Sequence, residues 1–119
     1  MGSPAKVNAT LTTTGRKSGT PRSVPLYAFE VDDRLVIVGS WGGKPVDPAW
    51  VHNLRAEPMA TIRVGGKDRQ VRAREVKVPS DERDRLWALV TKAFPYYKTY
   101  QRKTDRVIPL FVLAPAGDE

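Results

Sequence analysis

Between Thr12 and Arg22 the chain gathers three cations (Arg16, Lys17, Arg22), two glycines and four hydroxyls (Thr13, Thr14, Ser18, Thr20). Glycine lets the backbone approach a ligand closely, and N–H groups with hydroxyls suit phosphate oxygens. Arg offers a two-pronged donor and Lys a point charge. The spacing is not that of a Walker loop, and a strand follows it instead of a helix. The competing reading is a solvated hairpin turn.

Three further constellations bear on chemistry. Ser40-Trp41-Gly42-Gly43 leads into a helix on which Trp50, Asn53 and Leu54 share a face. A Trp beside an amide suits stacking on, and hydrogen bonding to, a planar heterocycle. Ordinary core contacts would explain Trp50 and Leu54 equally well. Phe94, Tyr97 and Tyr100 fall three residues apart and line one face if helical, a lid of rings with hydroxyl tips for a flat organic substrate. A core-facing aromatic stripe is the alternative. Arg63, Lys67, Arg69, Arg72 and Arg74 spread along a hairpin with Asp68 and Glu75 close by, as a solvated strand face does. His52 reads as a helix-surface or packing residue, and no carboxylate pair suggests acid–base catalysis.

Composition narrows the field. The chain has 119 residues, 20 Lys plus Arg, 13 Asp plus Glu, one His and no Cys, for a net charge of +7. Without Cys there is no disulfide, thiolate zinc site, iron–sulfur ligation or cysteine nucleophile. One His excludes a site needing two imidazoles, so no metal site is expected. Redox chemistry would therefore need an organic cofactor. The basic balance fits nucleic acid, an anionic membrane surface or a small anionic ligand. No apolar stretch approaches the ~20 residues of a membrane span. No signal-peptide core is present either, so the expected compartment is the cytoplasm.

The elements that must hold these residues read β-β-β-α-β-β-α-α-β. Asn8–Thr13 is a strand. Arg22–Val31 is a second, with Val24, Leu26, Ala28 and Glu30 on one face and Tyr27, Phe29 and Val31 on the other. Leu35–Val38 is a compact apolar strand after the Asp32-Asp33 turn. Asp47 is expected to cap a helix from Pro48 to about Ala56, with Pro48 in the first helical position. Met59–Val64 and Gln70–Val78 form a hairpin about Gly65-Gly66. A helix with the stripe Leu86, Leu89, Val90 and Ala93 begins at Pro79-Ser80-Asp81-Glu82. A short helix spans Tyr96–Lys103, and Val107–Leu113 is a last strand in which Pro109 implies an edge or a bulge. The fold class is α+β, mainly β: about six antiparallel strands in a small barrel with short helices outside. Residues 1–9 are expected as a tail, 10–115 as one domain and 116–119 as a C-terminal tail.

Taken together, these residues resemble the deazaflavin-dependent nitroreductase family. Its opening motif is similar to Leu11-Thr12-Thr13-Thr14-Gly15-Arg16-Lys17-Ser18-Gly19 with Pro21-Arg22 and Pro25-Leu26. A second motif is similar to Gly42-Gly43, Asp47-Pro48 and Trp50-Val51-His52-Asn53-Leu54. A third is similar to Tyr97, Tyr100-Gln101, Thr104-Asp105-Arg106 and Ile108-Pro109. The three run in order from Thr10 to Pro115.

The resemblance implies a split β-barrel, shared with flavin-mononucleotide oxidoreductases. It implies hydride transfer from reduced coenzyme F-420 to a quinone, nitroaromatic or activated enone. Arg16, Lys17 and Ser18 would hold the coenzyme's anionic tail. Arg22, Ser23, Val24, Pro25, Leu26 and Tyr27 would pass beside it. Val38, Gly39, Ser40 and Trp41 would follow the ring, with Ser40 near the reacting region. Ala49, Trp50, Val51, His52 and Asn53 would hold the tail and ring edge. Tyr97 would touch coenzyme and substrate, and Phe94 and Tyr100 the substrate, with Phe94 in the place of a Tyr of some relatives. Ser40 and Tyr100 are the catalytic candidates. The partner expected is a small-molecule acceptor and not nucleic acid, and the protein a monomer or homodimer. Relatives often carry an amphipathic helix before the first strand; this chain starts almost at that strand, so the resemblance does not by itself support peripheral membrane association or N-terminal substrate gating, and both stay open. Two alternatives stay open: a flavin-mononucleotide enzyme on the same barrel, and a non-catalytic nucleic-acid-binding barrel.

Overall fold

Alternation along the strands gives this protein two apolar surfaces instead of one. A computed structural model describes residues 2–116. The strands are β1 (Ala5–Thr14), β2 (Pro21–Val31), β3 (Arg34–Val38), β4 (Met59–Val64), β5 (Lys67–Glu75) and β6 (Leu110–Pro115). They close a barrel in the order β1-β2-β3-β6-β5-β4, every pair antiparallel. The helices are α1 (Ala49–Ala56), α2 (Asp81–Ala93) and α3 (Tyr96–Arg102).

Inside the barrel lie Leu11, Ala28, Ile37, Ile62, Val71, Phe111 and Leu113. Helix α1 adds Trp50, Val51 and Leu54 to that cluster and so plugs the barrel. Outside, Phe29, Val31, Val36, Val38 and Leu110 meet Leu86 and Val90 of α2 and Tyr97 of α3. Fully burying a side chain of this size contributes about 1.5–3 kcal/mol. The expected two faces of β2 hold, and the barrel decides their direction: Ala28 points inward, Phe29 and Val31 outward. β3 is apolar throughout because the barrel core covers one face and the helices the other. Asp32 and Asp33 both sit at positive φ (51° and 62°), as a two-residue hairpin turn of this hand requires. Ser80 caps α2, accepting from the Arg83 N–H at 2.9 Å.

Several expectations are corrected. β1 begins at Ala5, and Ala5–Ala9 pair with Glu30–Leu26, so the expected tail of residues 1–9 is largely strand. β5 runs Lys67–Glu75, because Val76 turns its side chain into the outer core and donates its N–H to the Leu110 carbonyl. Pro109 lies ahead of β6, not within it, and its carbonyl accepts from the Gly39 N–H at 2.9 Å. Asp47 is not the cap of α1: Pro48 takes that position and no side chain caps it. A tight turn at Trp41–Gly43, with all three residues at positive φ, lies outside the expected elements. Of the expected C-terminal tail, residues 117–119 lie outside the described residues. No described helix is long and apolar enough to cross a membrane.

The split in the barrel comes from unequal pairing. β2 pairs with β1 from Pro21 to Glu30 but with β3 only from Ala28 to Val31. One edge of β2, from Pro21 to Tyr27, therefore faces the segment that leaves β3 instead of another strand. Arg106 fixes that segment. Its guanidinium donates to the carbonyls of Gly39 (3.0 Å), Ser40 (2.8 Å) and Lys44 (2.8 Å) and to Asp47 Oδ1 (2.8 Å). Asp47 also binds Arg55, which forks onto Glu75 with two bonds of 2.8 Å. Gln101 of α3 holds the 106–108 stretch, accepting from the Ile108 N–H and donating to the Arg106 carbonyl. Arg106→Ala is expected to destabilise the fold by about 2–4 kcal/mol in urea unfolding, because it strands several acceptors at once. Arg106→Lys should recover only part of the loss, since an ammonium lacks the planar fork.

Candidate active site

The β1–β2 loop is built by short internal bonds. Gly15 N–H donates to Thr20 O and Gly19 N–H to Gly15 O, both at 2.8 Å. The Ser18 and Thr20 hydroxyls lie 2.7 Å apart. The buried side chain of Asn53 ties the loop to α1: Oδ1 accepts from the Arg16 N–H at 3.0 Å, and Nδ2 donates to Thr13 Oγ1 at 3.1 Å. The Asn53 amide is thus engaged with protein on both atoms and positions the loop. Arg16, Lys17 and Arg22 have no carboxylate partner among the described residues. They stand with Ser18, Ser23 and Trp50 around an open cavity of about 590 Å³.

A second cavity, of about 420 Å³, continues from the first, because both are walled by Val24, Trp41, Pro48 and Trp50. Its other walls are Pro25, Leu26 and Tyr27 of β2, Val38, Ser40 and Gly42, and Phe94, Tyr97 and Tyr100. No charged side chain lines it. The groove thus runs from a cationic, hydroxyl-rich end to an uncharged aromatic end. Trp41 sits at φ 43°, a conformation that costs a non-glycine residue about 1–3 kcal/mol. Gly43 follows at φ 81°, where a Cβ would fall 2.6 Å from the Tyr100 carbonyl. This close approach presses the turn onto α3.

At the aromatic end the Ser40 carbonyl is held by Arg106 and by the Gly43 N–H (2.9 Å), while Ser40 Oγ makes no bond to a described residue. Phe94 packs against Tyr27, Tyr96, Tyr97 and Tyr100, with centroids 4.8–6.5 Å apart. Tyr97 also meets Phe29 edge-on. Burial pushes the Tyr97 phenol well above its usual range, with smaller contributions from Tyr27 and Tyr100. It therefore stays protonated at any working pH and serves as a donor, not a base. The Tyr97 hydroxyl bonds to no described residue, yet no described side-chain polar atom is both buried and unpartnered. It must reach open space at the cavity wall.

The structure thus gathers Arg16, Lys17, Ser18, Arg22, Ser23, Val24, Trp41, Ala49, Trp50 and Asn53 at one end. Pro25, Leu26, Tyr27, Val38, Ser40, Phe94, Tyr97 and Tyr100 come together at the other. Three expected contacts do not line the groove. Val51 is fully buried in the barrel core. Gly39 is buried under Val51 and Pro109, where a Cβ would come within 2.8 Å of either side chain. His52 lies on neither wall. Thr13 and Gly15, which belong to the cationic loop, and Gly42 and Pro48, which belong to the second motif, also line the groove, although the resemblance assigns them no contact. Arg106 was quoted for its motif but not for its role, which it plays through carbonyls that leave no trace in a sequence. The β4–β5 cations behave as a solvated face: Arg63 pairs with Asp68 at 2.9 Å and Arg74 with Glu82 at 2.8 Å.

Fold and groove together define a split-barrel protein. A FAD-binding protein from Mesorhizobium loti shares the fold at 18% identity, with a TM-score of 0.65 over 92% of this chain and 80% of that one. The match narrows further. Residues 2–115 fit the family described as F-420H(2)-dependent quinone reductase, and the chain belongs to that family. It is 40% identical over 104 residues to the F-420H(2)-dependent quinone reductase Rv1261c of Mycobacterium tuberculosis, covering 87% of this chain and 70% of that one. The solved structure of an F-420-H2-dependent reductase (FDR-A) is also 40% identical, with a TM-score of 0.80, covering 90% of this chain and 93% of that one.

Asn53→Ala is expected to lower stability by about 1–3 kcal/mol, since it leaves the Thr13 hydroxyl and the Arg16 N–H unpaired. The measurement is the urea midpoint at unchanged m-value.

Proposed function

We propose that the groove seats reduced coenzyme F-420 with its anionic tail at the cationic end and its ring at the aromatic end, where a quinone takes the hydride. The observation that carries this reading is the continuity of the two cavities across Val24, Trp41, Pro48 and Trp50. Opposite chemistries at the two ends of one groove fit a flat ring with a charged tail. When bound, reduced F-420 supplies the hydride, which no protein side chain can.

The chain's own residues do the rest. Arg16, Lys17 and Arg22, unpaired with any described carboxylate, provide the charge for phosphate and carboxylate oxygens, and Ser18 a hydroxyl. Trp41 and Trp50 wall the passage between the ends. Phe94, Tyr97 and Tyr100 cover the acceptor side and exclude water, which strengthens each polar contact within. Ser40 Oγ and the Tyr100 hydroxyl, neither bonded to a described residue, are assigned here as donors to the oxygen on which negative charge develops, because both residues line the aromatic cavity. No side chain forms a covalent bond, so the rate gain comes from positioning and from these donors. Nitroaromatics and activated enones share a planar electrophilic character and are proposed as further acceptors.

The test is anaerobic mixing of protein, reduced F-420 and a panel of quinones, nitroaromatics and enones, followed by coenzyme absorbance. Titration with flavin mononucleotide alongside should give markedly weaker quenching of tryptophan fluorescence; tighter flavin binding would overturn the assignment. Ser40→Ala is expected to lower kcat by about 10-fold or more while leaving coenzyme Kd within about twofold. Arg16→Ala with Lys17→Ala should raise coenzyme Kd by about 10-fold or more at low salt, with the gap narrowing as salt screens the interaction. An unchanged Kd would remove the tail from this loop.

A further inference from the structure

The walls of the aromatic cavity carry no charge, yet three ammonium groups sit over the rings that form them. Lys6 Nζ lies 4.3 Å from the Tyr27 ring centroid and 5.2 Å from that of Phe94. Lys103 Nζ lies 5.9 Å from Tyr100, and Lys44 Nζ 4.2 Å from Trp41. All four rings line the same cavity. The lysines come from unrelated parts of the chain: β1, the turn before α1 and the end of α3. Strand register explains the first. Lys6 pairs with Phe29, so its side chain lies on the outer face of the β1–β2 ribbon beside Tyr27.

None of the three has a carboxylate partner among the described residues. All three are exposed, so each ammonium keeps water on one side and a ring on the other. A ring face holds a cation loosely, worth about 0.5–1 kcal/mol at an exposed site. An anionic group arriving at the rim can therefore draw the ammonium onto itself without breaking an ion pair.

We propose that Lys6, Lys44 and Lys103 form a cationic rim that selects planar acceptors bearing an anionic substituent, such as a carboxylate or sulfonate outside the ring. The uncharged walls receive the ring, and the rim receives the substituent. This rests on the acceptor placement proposed above. The rim acts on acceptor affinity and not on hydride transfer, so its effect belongs in KM.

The test compares 1,4-naphthoquinone with 1,4-naphthoquinone-2-sulfonate in steady state, in the wild-type protein and in the Lys6→Gln/Lys103→Gln variant. Lys44 is left in place because Trp41 also walls the coenzyme end. The ratio of the sulfonate KM to the uncharged quinone KM is expected to rise about fivefold or more in the variant at low salt. Lys6→Arg/Lys103→Arg should keep the wild-type ratio. A ratio that stays within twofold, or an Arg variant that behaves like the Gln variant, overturns the rim. A parallel titration of the coenzyme-loaded proteins with naphthalene-2-sulfonate, read by tryptophan fluorescence, gives Kd without turnover. If wild type reduces neither quinone, the acceptor reading falls on its own. The Kd comparison then judges the rim: weaker sulfonate binding in the Gln variant supports it, and equal binding refutes it.

Discussion

The groove exists because one guanidinium holds a segment that no strand holds. Arg106 donates to the carbonyls of Gly39, Ser40 and Lys44 and to the Asp47 carboxylate. Those acceptors span the whole route from the end of β3 to the start of α1. Because the β3-side edge of β2 has no strand neighbour from Pro21 to Tyr27, that route forms the far wall of the split. Were the segment free, Ser40 and Trp41 would have no fixed relation to β2. The positive φ of Trp41 persists for the same reason: clamped carbonyls on one side and the tight Gly43–Tyr100 approach on the other leave the chain no relaxed path.

A second tether does for the cationic end what Arg106 does for the ring end. Asn53 is buried on the helix that plugs the barrel, and it grips both Thr13 and the Arg16 backbone. The loop's position is thereby referred to the barrel core instead of to solvent. Flexible cations gain from this arrangement. Their charge is delivered to one place while the long side chains remain free to fit the oxygens of a tail.

Charge is sorted along the groove. The end proposed for the tail keeps unpaired cations on its wall, where Coulomb attraction to an anion is useful. The end proposed for hydride transfer has a neutral wall, with Tyr97 held protonated by burial. A low-polarity wall costs a flat, uncharged ring little to enter and sharpens the few donors that face it. Over the rings of that wall lie the ammonium groups of Lys6, Lys44 and Lys103.

The sequence alone determined what depends on local pattern. Period-two alternation placed Ala28 and Phe29 on opposite faces, the Ser80 cap and the apolar stripe opened α2, and the Gly65-Gly66 turn set the β4–β5 hairpin. The cluster of Arg16, Lys17 and Arg22 with Gly and hydroxyls marked an anion site, and three motifs in order marked the family. Tertiary structure decided the rest, because it depends on contacts between residues far apart in the chain. Asp47 reads as a helix cap, yet Arg106, 59 positions later, captures its carboxylate. Val51 and Gly39 sit in segments that the resemblance assigns to the groove, but their backbones turn them into the core. The amide of Asn53 bonds Thr13 across 40 positions and so acts as a tether, which its motif does not show. Hydrogen-bond partners at such separations are chosen by how the barrel closes, and no spacing within a segment encodes that choice.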